Sequence, residues 1–143
     1  MTSYVAGFMI ASEGRVALIR KTKPRWQAGR LNGIGGKIEP GETALQAMVR
    51  EFREETGVET KPSDWHEFCV LGDNVDGFRV HFFVYHVVSF PDLHTTTEEE
   101  VLRVAISAVT VHNSIPNLTW LLPMALTIGT NEQARKFQVR EIE

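Results

Sequence analysis

One stretch of 23 residues constrains this 143-residue chain more than any other part. Between Gly36 and Val58 the sequence fits the pattern GX5EX7REUXEEXGU, where U is a bulky aliphatic or aromatic residue. Seven fixed identities and two apolar positions would arise by chance in a chain of this length with a probability on the order of one in ten million. The spacing of the charged residues in this pattern therefore needs a physical explanation.

The second half of the pattern predicts an amphipathic helix over residues 43–56. Thr43 followed by Gln46 forms a capping box, which satisfies free amide groups at the start of a helix. Gly57 stands where a helix-ending residue with a positive φ belongs. The apolar residues spaced i, i+3, i+4 and i+7, which predict a stripe facing a core, are Leu45, Met48, Val49 and Phe52.

Three acidic residues cluster on another side of the same helix. Glu51, Glu54 and Glu55 are spaced i, i+3 and i+4, and like charges at these spacings destabilise a helix by about 0.2–0.5 kcal/mol per pair. On an ordinary helix such a cluster is a solvated acidic face. Here it accompanies Arg50, Glu42 and a glycine-rich approach, and a hard divalent cation would relieve the repulsion. Mg²⁺ prefers carboxylate oxygens, waters and phosphates, so we expect Mg²⁺, with Mn²⁺ as the alternative, bridging to a diphosphate.

The segment before the helix is rich in glycine. Gly33, Gly35 and Gly36 fall within four residues, which would weaken an ordinary strand. They are explained if a backbone or ligand comes close, or if positive φ values are needed, and a bulge or tight turn is the competing interpretation. Pro40 and Gly41 then fit the central positions of a type II turn leading into the helix.

The rest of the chain predicts an α/β fold with a mixed sheet. Strands are expected at 4–11, 16–21, 65–72, 78–89 and 101–106, with a short last strand around 137–139. A second helix is expected over 117–128, with Asn117 as its N-cap, although Pro123 inside it conflicts with helical hydrogen bonding. Length predicts one domain, 1–143.

Composition limits the partners and the cellular location. The net charge of −3 and pI of about 6.0 argue against a general nucleic-acid or membrane surface. The single cysteine, Cys69, lies in an apolar run and is expected in the core. The sequence shows neither a signal peptide nor an apolar run of membrane-spanning length, so a cytoplasmic protein is expected.

The pattern at 36–58 resembles the signature of the Nudix hydrolases. Residues 27–37, 80–83 and 115–123 also look like stretches of the MutT-type subgroup, which sanitises oxidised purine nucleotides. The resemblance implies an α/β/α sandwich around a mixed β-sheet. It also implies an enzyme that hydrolyses a nucleoside diphosphate linked to another group by water attack on phosphorus.

The resemblance also assigns catalytic roles. The implied metal ligands are the carboxylates of Glu51, Glu54 and Glu55 and the carbonyl of Gly35. Arg50 would hold a catalytic carboxylate in position, and Glu42 would pair within the signature loop. A further acid, acting as ligand or base, often follows in a later loop; Glu98 best matches that position, and Glu99 and Glu100 remain open.

Substrate contacts are expected outside the acidic helix. Lys23 and Lys37 are candidates for the remaining phosphate charge, although exposed lysines are usually only solubilising. Trp26 could stack on the base, and Phe78 could form a wall of the pocket.

Two amides are candidates for reading the base. Asn32 and Asn117 each offer a donor and an acceptor, and the N-cap role competes with base binding for Asn117. The resembling subgroup has an acidic residue where this chain has Asn117, which puts oxidised guanine in question.

We therefore expect a Mg²⁺-dependent nucleoside triphosphate pyrophosphohydrolase that releases a nucleoside monophosphate and pyrophosphate, with purine or modified purine bases favoured. The alternatives are hydrolysis of ADP-ribose, a dinucleoside polyphosphate or a capped RNA 5′ end, and a sensor that binds nucleotides without turnover. The expected partner is a small nucleotide, and the protein is expected to be a monomer or a homodimer.

Overall fold

The computed structural model describes residues 2–73, 75, 77–128 and 137–140, in which one mixed sheet is flanked by two helices. The strands are β1 (Thr2–Ala11), β2 (Arg15–Arg20), β3 (Leu31–Asn32), β4 (Ile34–Lys37), β5 (His66–Asp73), β6 (Phe78–Val87), β7 (Val101–Ala105) and β8 (Phe137–Arg140). The helices are α1 (Ala44–Thr56) and α2 (Leu118–Thr127). All predicted strands and both predicted helices are confirmed, and β3 and β4 divide the glycine-rich segment.

Strand β1 is the organising strand of the sheet. It pairs in parallel with β6 along its whole length, within the order β3-β2-β1-β6-β5-β8. On its other edge, β1 pairs with β4 from Tyr4 to Gly7 and with β2 at Met9 and Ile10, both antiparallel. One edge of β1 is therefore shared between two strands, and this places the glycine-rich β4 beside its first half.

Each face of the sheet is covered by one apolar cluster. On one face Met48 and Phe52 of α1 pack with Trp65 and Phe83. The cluster on the other face includes residues of α2 and of the sheet: Leu118, Leu121, Leu122, Phe8, Phe68 and Phe82. Side chains alternate between the faces of a strand, so β1 contributes to both clusters. This arrangement confirms the α/β/α sandwich with a mixed sheet, and Cys69 is fully buried within it.

Helix α1 has the predicted ends but a different buried face. The Thr43 hydroxyl accepts from the Gln46 amide at 3.1 Å, the Gln46 side chain accepts from the Thr43 amide, and Gly57 ends the helix with a φ of 77°. The predicted apolar stripe was wrong at Leu45, which is 36% exposed, whereas Ala47 is fully buried. The helix is therefore rotated so that Ala47 faces the sheet, where its methyl group allows the helix and the sheet to pack closely.

Helix α2 contradicts one prediction. Asn117 precedes it in a helical conformation, with φ −67° and ψ −15°, and its side chain makes no capping hydrogen bond. The predicted N-cap role of Asn117 was therefore wrong. Pro123 lies inside α2, and the apolar contacts of Leu118, Leu121 and Leu122 offset the backbone hydrogen bond that proline cannot make. Of the helices in the described part of the chain, none has the length and apolar content needed to cross a membrane.

Candidate active site

The glycines of β4 permit two close approaches. A Cβ atom on Gly35 would lie 1.9 Å from the carbonyl oxygen of Val5, and one on Gly36 would lie 2.5 Å from Oε1 of Glu51. Neither glycine is among the residues with positive φ. Close approach of a backbone and of a signature carboxylate therefore explains these glycines, and the interpretation as a tight turn does not apply to them. Gly41 does form a turn, with a φ of 79°.

Arg50 gathers the acidic residues of the signature. Its Nε and Nη2 donate to the two carboxylate oxygens of Glu42 at 2.7 and 2.8 Å. Nη1 donates to Glu51 at 2.9 Å and to Glu54 at 3.3 Å, and Nη2 also donates to the carbonyl of Lys37 at 3.0 Å. The bond from Arg50 holds the pKa of Glu42 below its ordinary value. Charge-assisted paired bonds of this kind are strong and directional, so the guanidinium joins α1 to the loop before it.

Two signature carboxylates are costly to ionise. Burial raises the pKa of Glu51, although its bond to Arg50 acts in the opposite direction. Burial also raises the pKa of Glu55, and the negative charges of Glu99 and Glu51 add to that increase. Desolvation and like charges both disfavour an ionised carboxylate. These side chains therefore form a half-buried site of excess negative charge.

The donor chemistry fits a hard divalent cation. Glu51, Glu54 and Glu55 offer only oxygen atoms, which is the ligand type that such ions prefer. Within residues 2–73, 75, 77–128 and 137–140, no three His, Cys, Asp or Glu side chains converge closely enough to hold an ion, and Arg50 contacts two of the three glutamates. These residues could hold a cation once their side chains turn from the guanidinium towards it.

Of Glu98 and Glu99, the structure buries Glu99, whose negative charge raises the pKa of Glu55 on α1. Glu98 is 65% exposed in its side chain and lies 3.6 Å from Nζ of Lys23. Glu99 is 8% exposed, accepts from the Thr22 amide at 2.8 Å and pairs with Lys21 at 3.1 Å. Burial of a carboxylate is tolerated where such partners are available, and the sequence alone does not reveal them.

A cavity of about 540 Å³ adjoins the signature. The predicted substrate and metal residues that line it are Trp26, Asn32, Gly35, Lys37, Phe78 and Asn117. Lys23 is not part of the lining, whereas Lys21 and Gln27, which the sequence pattern did not indicate, are. Lys21 directly follows β2, and this position at the end of a strand is the feature of the sequence that could have indicated a place in the cavity wall.

The two asparagine side chains at this cavity differ in their hydrogen-bond partners. Oδ1 of Asn32 accepts from the Gly33 amide at 2.8 Å, and its Nδ2 lies 3.5 Å from Oε1 of Gln27. Oδ1 of Asn117 is buried and has no hydrogen-bond partner in the described part of the structure. Trp26 is 63% exposed, with its ring available for stacking. Asn117 is therefore a residue of this wall with a buried side-chain oxygen that has no partner in the described part of the chain.

The NUDIX domain family matches residues 2–133. This is nearly the whole sequence, so the chain belongs to the Nudix hydrolase family, which confirms the resemblance of its signature.

Among known proteins, the chain is 34% identical over 94 residues to CTP pyrophosphohydrolase of Escherichia coli, covering 66% of each sequence. It is 31% identical over 105 residues to the oxidized purine nucleoside triphosphate hydrolase of Mus musculus, covering 71% of the chain and 64% of that enzyme. These matches thus span slightly less than two thirds of each relative. The structure resembles the MutT protein of Bacillus halodurans with a TM-score of 0.74 at 19% identity, covering 98% of the chain and 90% of that protein. This likeness is one of fold.

Proposed function

We propose that the chain, as one Nudix domain over 1–143, is a Mg²⁺-dependent nucleoside triphosphate pyrophosphohydrolase that releases a nucleoside monophosphate and pyrophosphate. The observation that carries the proposal is the cavity beside the signature. Gly35, Gly36 and Lys37 line it together with Trp26 and Asn117. A nucleotide bound there would have its base near the aromatic and amide residues and its phosphates near the signature.

The unpaired oxygen of Asn117 supports recognition of a base. A buried acceptor without a partner costs about 1–3 kcal/mol, and an N–H group of a ligand would remove that cost once the side chain rotates its oxygen into the cavity. The exposed ring of Trp26 offers the stacking surface that a flat base requires. Adenine, guanine and cytosine carry amino groups, and guanine, thymine and uracil carry a ring N–H, so the position of the donor on the base edge decides which base this acceptor suits.

Purine or modified purine triphosphates are the first candidate substrates. CTP is the second, because the E. coli protein to which the chain is 34% identical is named a CTP pyrophosphohydrolase. The MutT-type subgroup has an acidic residue at the position of Asn117. An amide can donate as well as accept, so the base preference of this chain is expected to differ. Release of pyrophosphate from a panel containing dGTP, 8-oxo-dGTP, dATP, dCTP and CTP distinguishes these candidates.

The chain supplies positioning groups for the reaction. A bound divalent ion would polarise a phosphoryl oxygen and lower the pKa of the attacking water. Arg50 orients Glu51 and Glu54 beside β4, and Lys37 supplies positive charge at the cavity wall. Glu99, which lies close enough to influence the pKa of Glu55, is the better candidate for the later acid than Glu98.

Two Asn117 variants test the base-binding part of the proposal. Asn117→Ala is expected to change the ratio of kcat/KM between nucleotides while leaving thermal stability close to that of the wild type, because this side chain does not cap α2. Asn117→Asp keeps acceptor oxygens but loses the donor, so it should shift preference towards bases presenting N–H groups. An unchanged nucleotide ranking in both variants would remove Asn117 from base recognition.

The wild-type protein tests the reaction itself. Pyrophosphate release is measured across the same panel with Mg²⁺ and with a chelator in its place. Turnover that requires Mg²⁺ is the expected result. Tight nucleotide binding without turnover would instead identify a sensor.

A further inference from the structure

Thr97 connects the signature helix to the loop that carries Glu99. Its hydroxyl donates to Oε2 of Glu55 at 3.0 Å, and its oxygen accepts from the backbone amide of Glu99 at 3.1 Å. A hydroxyl has one hydrogen to donate, and its oxygen accepts through lone pairs. The amide of Glu99 occupies the oxygen from one side, which leaves the hydrogen directed at Glu55.

The loop that presents Thr97 is attached to the end of α1. The amide of His94 donates to the carbonyl of Thr56 at 2.9 Å, and the hydroxyl of Thr96 donates to the carbonyl of Glu54. Further along, the amide of Val101 donates to the hydroxyl of Thr95 at 3.0 Å. These bonds hold the loop at both ends, so the direction of the Thr97 hydroxyl is determined by the fold although the side chain is exposed.

Glu55 is oriented differently from the other two signature glutamates. Glu51 and Glu54 are contacted by the guanidinium of Arg50. Glu55 is half-buried near the negative charge of Glu99, and a hydroxyl orients one of its oxygens. A bond at Oε2 fixes the plane of the carboxylate and leaves Oε1 to meet a cation. Partners of this kind fix the orientation of metal ligands in proteins generally.

We propose that Thr97 is a positioning residue, whose hydroxyl holds Glu55 in the orientation that binds the divalent ion. This inference rests on the proposed function, since it presumes an ion at the acidic face of α1. It assigns a role to a neutral residue of the polar loop between β6 and β7, well outside the signature.

The test measures binding of Mg²⁺ alone by calorimetry, without nucleotide, and kcat and KM in parallel. Thr97→Val removes the hydroxyl and keeps the branched shape, and it is expected to weaken Mg²⁺ affinity about 10-fold, the lower end for loss of such a partner. Thr97→Ser keeps the hydroxyl and should bind Mg²⁺ within about twofold of the wild type. Thr96→Val is the matched control, because it removes a bond from the same loop to a backbone carbonyl and should leave Mg²⁺ affinity unchanged.

Four outcomes would overturn the inference. Wild-type affinity in Thr97→Val removes the role of the hydroxyl, and an equal loss in Thr97→Ser assigns the effect to the methyl group. An equal loss in Thr96→Val assigns it to anchoring of the loop. Wild-type protein without Mg²⁺ affinity would reject the ion site of the proposed function as well, which separates the two failures. If Thr97→Val disturbs the circular dichroism spectrum, Thr97→Ala replaces it with the same expected loss.

Discussion

At the scale of single residues, one guanidinium accounts for most of the order in the acidic site. Arg50 makes two short bonds to Glu42 and further bonds to Glu51, Glu54 and the carbonyl of Lys37. A lysine could not replace it, because an ammonium lacks the planar fork that binds a carboxylate through two parallel bonds. The arrangement of this site thus depends on the identity of Arg50 as well as on its charge.

Glu54 allows the catalytic proposal to be tested without disturbing the fold. Its side chain is 49% exposed, and Glu54→Gln keeps its shape while removing the charge. We expect turnover to fall by at least about 100-fold, the scale of losing a catalytic electrostatic group, with an unchanged melting temperature. Steady-state kinetics with Mg²⁺ measures this effect. Glu59→Gln, on an exposed surface pair with Arg53, is the control, and near-normal activity of Glu54→Gln would contradict the metal assignment.

The sequence predicted the position of the acidic residues of α1, but not which acid of the later loop lies beside them. The roles of Glu51, Glu54 and Glu55 remain predictions, but their place on one helix could be expected from spacing alone. Whether Glu98 or Glu99 is buried beside them depends on Lys21 and Thr22 in the loop after β2, which lie almost 80 positions away. Long-range partners of this kind leave no local pattern, so spacing could not select between adjacent glutamates.

At the scale of elements, the contact between β4 and β1 limits which residues the signature can contain. Gly35 and Gly36 face Val5 and Ala6 in an antiparallel ladder. A side chain at position 35 would have to displace a backbone carbonyl, which cannot move without breaking the pairing of β1. Strand β4 therefore needs glycine at position 35 to lie this close to β1. The family resemblance assigns the carbonyl of the same residue as a metal ligand.

Gly35→Ala is expected to destabilise the protein by about 1–3 kcal/mol or more, the scale of overpacking. The added methyl group would lie 1.9 Å from the carbonyl oxygen of Val5. Gly72→Ala is the matched control within the same sheet, because no atom of the residues that the structure describes lies within 4 Å of its added Cβ. Urea denaturation of both variants measures the difference. Equal midpoints would show that β4 can move away from β1 at little cost.

The two helices differ in how far local sequence determines them. The ends of α1 follow from Thr43, Gln46 and Gly57, which act within a few residues of themselves. The side chain of Asn117 instead lies at a cavity wall, so the local preference of asparagine for an N-cap gave the wrong role. Pro123 removes one backbone hydrogen bond from α2, whose buried leucines pack in the core, and the sequence pattern alone could not show that Pro123 is tolerated.

At the scale of the whole molecule, the order of strands decides where the site lies. Parallel pairing of β1 with β6 and the division of one edge of β1 between β2 and β4 join segments far apart in the chain. Hydrophobic alternation predicts that strands exist and which faces they bury, but it carries no information about partners. The family resemblance, and not periodicity, therefore supplied the predicted α/β/α arrangement.

The excess negative charge of the site should appear in the stability of the molecule. Burial raises the pKa of Glu55 above its ordinary value, so folding favours the protonated carboxyl. The stabilising contribution of Glu55 to the free energy of unfolding is then lost as the pH rises through the raised pKa. Glutamine does not ionise, so Glu55→Gln is expected to be more stable than the wild type at about pH 7, with the difference shrinking towards about pH 4.

Melting temperatures across this pH range, in the presence of a chelator, test the prediction. Glu59→Gln serves as an exposed control on the same part of the chain. Activity of Glu55→Gln should fall even where its stability rises, because stability and function conflict at sites of concentrated charge. A stability difference that stays constant with pH would contradict the assignment to the ionisation of Glu55.

The position of Arg50 has a consequence for metal affinity. The guanidinium of Arg50 neutralises part of the acidic face, so the repulsion among these carboxylates is reduced before any divalent ion binds. An incoming ion competes with that tethered charge for Glu51 and Glu54. The affinity for a divalent ion therefore reflects an exchange, in which the ion from solution replaces the guanidinium of Arg50 at these two carboxylates.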